Sequence, residues 1–149
     1  MSAQTLNEEQ SRAIHRVLDK LKKDTDAGTA LVTDSGGNIL AYVADEDDES
    51  LQTVAALVAG SFSATRELAS LIGEQEFHAI FHQGEKTSIF IRCIASTFLL
   101  LVVLGPETTE GLVRLYSEKV AKQLLPLLVE TRRETGPLSL EIDNDADVF

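Results

Sequence analysis

Hydrophobic residues recur every three or four positions in three segments of the chain, and this spacing predicts three amphipathic helices. The first predicted helix spans about Asn7 to Lys23, the second spans Leu51 to Ile72, and the third starts near Glu110. The second has the widest apolar arc, roughly 200° of its circumference, which exceeds what a surface helix needs to cover a sheet. We therefore expect this helix to contact a second surface as well, such as the same helix of another copy.

Residues near the ends of these segments fit helix termini. Thr5 and Glu8 have the spacing of a capping box for the first helix, and Ser50 is a suitable N-cap for the second. Gly73 stands where a glycine ends many helices. Pro126 lies inside the third segment and, because proline removes a backbone donor, predicts a kink or an early end there.

Five short apolar segments predict strands. "TALVTD" and "NILAYV" are separated by "SGGN", the pattern of a β-hairpin. "EFHAIFHQ", "TSIFIRCI" and "TFLLLVVL" follow one another through short turns, which predicts an antiparallel meander. The last segment is apolar on both sides, so we expect it in the middle of a sheet or covered on both faces. The order α-β-β-α-β-β-β-α predicts an α+β domain with one mainly antiparallel, five-stranded sheet.

Length and charge narrow the function. The 149 residues suit one domain, predicted here as 1–135, and residues 136–149 form an acidic tail expected to be disordered alone. The formal net charge of −11 argues against nucleic acid and anionic membranes as partners, since both attract Lys and Arg. It is compatible with a basic partner surface, and equally with a role in solubility alone.

No cofactor or metal site is predicted. Cys93 is the only cysteine, so no internal disulfide can form and a reducing, cytoplasmic setting is expected. The N-terminus has no signal-peptide pattern, and no apolar run is long enough to span a membrane. "SGGN" lacks the lysine of a P-loop, and "DEDDES" lacks the glycine of a calcium loop. His78, His82 and Cys93 lack a spacing that forces them into a zinc site.

The arc of the second helix opposite its apolar side carries mostly small side chains. Gly60 alone lowers stability by about 1 kcal/mol relative to alanine, and a solvated face would more commonly carry Lys and Glu. Either another protein docks along this strip or the strip packs within its own chain, and the periodicity leaves both open. The candidate partner-binding residues are Gln52, Ala56, Ala59, Gly60, Ser63, Arg66, Glu67 and Ser70.

Four pieces of sequence resemble the roadblock-domain family, and within it the MglB-like proteins. They are "LVAG", "ELASLIGEQEF", "HQGE" and "GLVRL", and they occur in the family's order within roughly residues 29–125. The resemblance implies one helix on one face of the sheet and two on the other. It also implies a homodimer in which the third strands pair and the second helices lie side by side. The residues expected at this interface are Phe77, His78, Ile80 and His82.

The resemblance further implies a non-enzymatic regulator that binds a Ras-like small GTPase of the MglA type on the paired second helices. Ser63 and Glu67 match contact positions, and the tail from Leu138 to Phe149 resembles a segment that promotes nucleotide exchange. The family stimulates GTP hydrolysis by repositioning residues of the GTPase. We expect Arg66 to form a surface ion pair rather than to act as an arginine finger. Cell polarity or motility, with enrichment at a cell pole, is the family expectation.

Glu67 departs from the small residue often found there in the family, and Pro126 interrupts the third helix. Two alternatives therefore stay open. One is a dimeric roadblock scaffold that does not activate a GTPase, and the other is a small-molecule sensor with a pocket between sheet and helices. A small-residue helix face favours the regulator and the scaffold over the sensor, because a ligand pocket is concave and apolar.

Overall fold

The computed structural model describes residues 7–47 and 49–143, and these form eight elements in the predicted order. The helices and strands are α1 (Glu8–Thr25), β1 (Thr29–Asp34), β2 (Ile39–Ala44), α2 (Leu51–Leu71), β3 (Ala79–His82), β4 (Ser88–Ile94), β5 (Phe98–Leu104) and α3 (Glu110–Asp143). The prediction of an α+β fold with order α-β-β-α-β-β-β-α is confirmed.

The five strands form one sheet in the order β2-β1-β5-β4-β3, and each neighbouring pair is antiparallel. The predicted hairpin is β1–β2, and the predicted meander is β3–β4–β5. β5 is the central strand, where Leu101 lies between Leu31 on β1 and Ile91 on β4. β2 and β3 are the two edges of the sheet.

Alternation along β5 explains why both of its faces are apolar. Phe98, Leu100 and Val102 face the layer formed by α1 and α3, whereas Leu99 and Leu101 face α2. Each is buried, and burying a large apolar side chain contributes about 1.5–3 kcal/mol. One helix therefore covers one face and two helices cover the other, as the family resemblance implied.

The start of α1 differs from its prediction. Asn7 is the N-cap, its side chain accepts a hydrogen bond from the Gln10 amide at 2.7 Å, and its own amide donates to the Gln10 side chain at 3.1 Å. The capping box predicted at Thr5 and Glu8 is thus wrong, although Thr5 itself lies outside the described residues. Glu8 is instead the first residue of the helix, where its charge is favourable beside the positive end of the dipole.

α3 also differs, because the helix continues through Pro126. The early end predicted at Pro126 is wrong, since α3 continues through this position to Asp143. The predicted kink stays a prediction. Pro126 and Lys122 both lie on the exposed side of the helix, and the Lys122 carbonyl lacks the helical donor that proline removes. Buried Leu124 and Leu128 flank the proline on the inner side and hold both halves of the helix in the core.

The described part of α3 extends past residue 136, so the predicted boundary between domain and tail falls inside this helix. Residues 144–149 lie outside the described residues, and the disordered tail stays a prediction. No helix among residues 7–47 and 49–143 is both long and apolar enough to cross a membrane.

Candidate partner-binding site on helix α2

The exposed side of α2 divides into two rows. One, which we call the apolar row, consists of Leu57, Leu68 and Leu71, which are 69%, 51% and 84% exposed. The other, the small-residue row, runs beside it and consists of Gln52, Ala56, Gly60, Ser63, Glu67 and Ser70, all of which are exposed. The sheet therefore covers only part of the predicted apolar arc, and the apolar row forms the uncovered outer edge of that arc.

Gly60 lies at the middle of the small-residue row with open space around it. A Cβ added at this position would meet no atom within 4 Å outside the helix's own neighbouring backbone. Packing within the described chain thus gives no reason for a glycine here, although the residue lowers helix stability by about 1 kcal/mol relative to alanine. The central part of the row is free to accept another molecule at close range.

The N-terminal part of the row contacts its own chain. The Gln52 side chain donates a hydrogen bond to the Gly37 carbonyl at 2.9 Å, and Ala56 lies against Gly37. Gly37 has a φ of +92°, and its missing side chain lets the β1–β2 turn approach the helix. Packing within the chain therefore holds for Gln52 and Ala56. Gly60 has no such contact, and docking of another protein at this part of the row stays a prediction.

The β1–β2 turn that meets α2 is fixed by one carboxylate, a feature that the sequence analysis missed. One Asp34 oxygen accepts from the backbone amides of Gly36 at 3.0 Å and Asn38 at 2.9 Å, and the other accepts from the Asn38 side chain at 2.9 Å. Asp and Asn commonly stabilise turns in this way. The pattern Asp-Ser-Gly-Gly-Asn carries this signal, but it does not reveal that the turn borders α2.

Ala59 does not belong to the exposed strip, and its prediction as part of that surface is corrected. It is 6% exposed and packs in the cluster between α2 and the sheet, with Phe62 and Leu101. Its angular position lies at the border between the inner side of the helix and the small-residue row. An alanine methyl is short enough to be covered from either side.

Arg66 is engaged inside its own chain. Its Nη2 donates to the Ser96 carbonyl at 2.9 Å, its Nε lies 3.8 Å from a Glu76 carboxylate oxygen, and its guanidinium lies 5.5 Å from the centre of the Phe62 ring. The expectation of an ion pair is confirmed, with Glu76 as the partner. Side-chain atoms held in this way do not project outward from the row as an arginine finger would.

A small cleft of about 170 Å³ opens between the row and the β1–β2 turn. Its lining combines polar and apolar side chains. The lining residues are Ser35, Ala59, Phe62, Ser63, Arg66 and Leu99. A space of this size can receive one side chain of a partner but not a typical small-molecule ligand, so the sensor hypothesis gains no support at this position.

The four residues predicted at the dimer interface lie at or beside an open sheet edge. Ile80 and His82 belong to β3, which pairs only with β4 in the described sheet. Phe77 and His78 precede the strand, although the sequence placed them within it, and the His78 carbonyl accepts from the Cys93 amide at 2.9 Å. This hydrogen bond extends the register of β3 and β4 by one residue beyond the pair of Ala79 and Arg92.

The described residues contain no group of three or more His, Cys, Asp or Glu side chains arranged to hold a metal ion. Cys93 is half-buried beside Arg66, and burial raises the pKa of its thiol, an effect that the hydrogen bond from Arg66 partly opposes. A raised pKa keeps the thiol neutral and poorly nucleophilic.

Comparison with known proteins identifies related chains. Residues 13–104 match the family model described as "Roadblock/LC7 domain". The chain is similar to MglB of Myxococcus xanthus, with 32% identity, 78% of this chain and 95% of that chain covered, and a TM-score of 0.74. No curated protein sequence matches.

Two further solved structures are similar at 28% identity. The gliding protein MglB from Thermus thermophilus has a TM-score of 0.81, with 87% of this chain and 98% of that chain covered. A structure described as MglB with a tetrameric arrangement has a TM-score of 0.83, with 88% and 98% covered. The fold and the length of the folded part are thus shared with these proteins.

Proposed function

Because the chain belongs to the Roadblock/LC7 domain family, we propose that it is a homodimeric, non-catalytic regulator that binds a Ras-like small GTPase of the MglA type and stimulates its GTP hydrolysis. The observation that carries this proposal is the small-residue row of α2. Gly60 and Ser63 are exposed there, and the space around Gly60 is open. The short side chains around Gly60 let another backbone approach closely at this part of the row.

The sheet edge and the apolar row support self-association. Within the described sheet, the outer side of β3 presents unpaired backbone donors and acceptors, and such an edge readily pairs with another strand. Leu68 and Leu71 are large, apolar and exposed on the helix that packs over this half of the sheet. Exposed apolar surface of this kind commonly marks an interface. A second copy that pairs along β3 would bring its own α2 beside this one.

The proposed stimulation works without a catalytic residue from this chain. An arginine finger stabilises charge on the transferring phosphoryl group, and Arg66 is the only arginine on α2. Its hydrogen bond to the Ser96 carbonyl and its ion pair with Glu76 at 3.8 Å direct the guanidinium toward its own chain. We infer that the regulator holds the switch segments of the GTPase in the arrangement that hydrolyses GTP, while the nucleotide pocket and magnesium belong to the GTPase.

The cellular setting is proposed from the relatives. The Thermus structure is described as a gliding protein, which supports a role in motility or polarity for this chain. The tetrameric arrangement described for another MglB supports assembly beyond the monomer. We propose a cytoplasmic location with enrichment at a cell pole.

The test combines the purified chain with a GTP-loaded Ras-like protein from the same genome. We expect co-elution on gel filtration and phosphate release at least about tenfold above the intrinsic rate, a lower bound set below the ~10³-fold effect of an arginine finger. Ser63→Arg places a long side chain in the small-residue row and should abolish both effects. Gln123→Arg makes the same charge change at an exposed position of α3 and should abolish neither.

Three results would contradict parts of the proposal. A complex without faster phosphate release would favour a roadblock scaffold, whereas the absence of both would remove the GTPase as a partner. Equal effects of Ser63→Arg and Gln123→Arg would show that the row is not the binding surface.

A further inference from the structure

One side chain of α2 connects two segments that are far from it in sequence. Arg66 donates to the carbonyl of Ser96, in the turn between β4 and β5, at 2.9 Å. It also approaches Glu76, in the linker between α2 and β3, at 3.8 Å. The Ser96 hydroxyl lies 3.0 and 3.2 Å from the two Glu76 carboxylate oxygens and closes the cluster.

The turn held by Arg66 has an unfavourable backbone. Ala95 and Ser96 have φ values of 55° and 59°, and the Thr97 amide donates to the Ile94 carbonyl at 3.2 Å. This is the arrangement of a type I′ turn, which favours Asn and Gly because both central residues have positive φ. Alanine and serine are disfavoured there, so contacts from outside the turn must help to maintain it.

The linker is the path from α2 to the open edge of the sheet. Glu76 is bound by the turn, and two residues later the His78 carbonyl accepts from the Cys93 amide at 2.9 Å. β3 begins at Ala79, immediately after this contact. The direction in which β3 leaves the linker is therefore set by bonds to the β4–β5 turn and to β4.

We propose that Arg66 is a positioning residue, which holds the β4–β5 turn and the linker against α2 and so fixes β3 relative to the small-residue row. This deepens the proposed function and rests on it for the roles of those two surfaces. This arrangement of Arg66, the turn and the linker would serve a regulator that binds its partner through α2 and a second copy of itself through β3. Because Arg66 belongs to the helix and its partners lie next to the edge, both surfaces are held in one fixed relationship.

Amide hydrogen exchange of the full chain tests the proposal without a GTPase. Arg66→Met removes the donors and keeps most of the side-chain length. We expect exchange of the Thr97 and Cys93 amides to become at least about tenfold faster, while amides that pair β1 with β5 keep their rates, as in local opening. Arg12→Met removes an exposed arginine that pairs with Glu8 at 3.5 Å and should leave Thr97 and Cys93 unchanged.

A rescue variant separates positioning from general support. Ala95→Asn puts a residue that tolerates positive φ into the turn and leaves Ser96 and Glu76 in place. Added to Arg66→Met, it should restore slow exchange at Thr97. Unchanged exchange at Thr97 and Cys93 in Arg66→Met, or acceleration spread evenly over all strands, would overturn the inference. A chain that binds no GTPase but shows the expected exchange pattern would refute the proposed function and leave Arg66 as a positioning residue.

Discussion

Gly37 lies directly against the backbone of Ala56: a Cβ placed on Gly37 would be 2.8 Å from the Ala56 Cα and 3.1 Å from the Ala55 carbonyl oxygen. The tip of the β1–β2 turn and the first half of α2 therefore approach to the limit that two backbones allow. The Gln52 side-chain amide donates a hydrogen bond to the carbonyl oxygen of the same glycine. This contact fixes the turn beside the small-residue row and makes it one border of the candidate site.

Gly37→Ala should destabilise the fold. The added methyl group meets helix backbone, which cannot move aside as a side chain can, and the positive φ of 92° is strained for alanine. We expect a loss of about 2 kcal/mol or more in the free energy of unfolding, measured in urea. Gly111→Ala, where a Cβ meets nothing within 4 Å, is the matched control and should cause no comparable loss. Equal stability of the two variants would contradict the contact.

Gly60→Ala should have the opposite effect on stability. The position is inside a helix and has open space, so alanine should raise the free energy of unfolding by about 0.5–1 kcal/mol. Gly60→Arg should also fold, because arginine favours helices, yet it should prevent GTPase binding on gel filtration. A destabilised Gly60→Ala variant would mean that the glycine serves the fold, and unimpaired binding by Gly60→Arg would place the partner elsewhere.

Leu68→Glu should disrupt the homodimer without unfolding the protomer. The side chain is 51% exposed in the apolar row, so the protomer loses little buried area, whereas a dimer would have to bury the new charge. Sedimentation should show a shift toward monomer, with a change in unfolding free energy of about 0.5 kcal/mol or less. Leu115 on α3 is also 51% exposed, and Leu115→Glu provides the control. If both variants remain dimeric, the apolar row is not the interface.

Cys93 should react slowly with alkylating reagents. Burial raises the pKa of its thiol, so the reactive thiolate is scarcer at pH 8 in the folded chain than in the chain unfolded by urea. The raised pKa also makes stability depend on pH, because the unfolded chain releases this proton at lower pH than the folded chain. The contribution of Cys93 to stability is therefore full below the ordinary pKa of a thiol and is lost as pH rises from there through the raised pKa of the folded chain. Iodoacetamide labelling followed by mass spectrometry measures the rates, and identical rates in native and unfolded chains would contradict the prediction.

The element order was predictable because it depends on local spacing of apolar residues. β5 shows this most directly: all seven of its residues are apolar, which predicts a strand covered on both faces, and the structure places it between β1 and β4. The start of α1 was harder to predict, because Thr5 and Asn7 are both good N-cap residue types. The choice between them depends on which residue of the first turn can accept a hydrogen bond from the N-cap amide. Gln10 does so from N3 of the observed helix.

The candidate site was predictable in outline but not residue by residue. Periodicity assigned Ala59 to the outer strip, yet a small apolar side chain at the border of a helix face carries no signal for either side. Arg66 donates a hydrogen bond to Ser96, which lies thirty positions away in sequence, and the local sequence pattern does not predict such a long-range contact. The continuous α3 depends likewise on Leu124 and Leu128, which hold the helix on both sides of Pro126 by tertiary packing.

The central position of β5 also has a consequence for how the chain is made. Leu31 pairs with Leu101, and the ribosome releases Leu101 only after α2, β3 and β4 have emerged. During this interval the β1–β2 hairpin lacks its inner neighbour, and a two-stranded hairpin is marginally stable in water. The nascent N-terminal half is therefore the part of this protein most in need of a chaperone, and slow elongation before β5 would prolong its risk of aggregation.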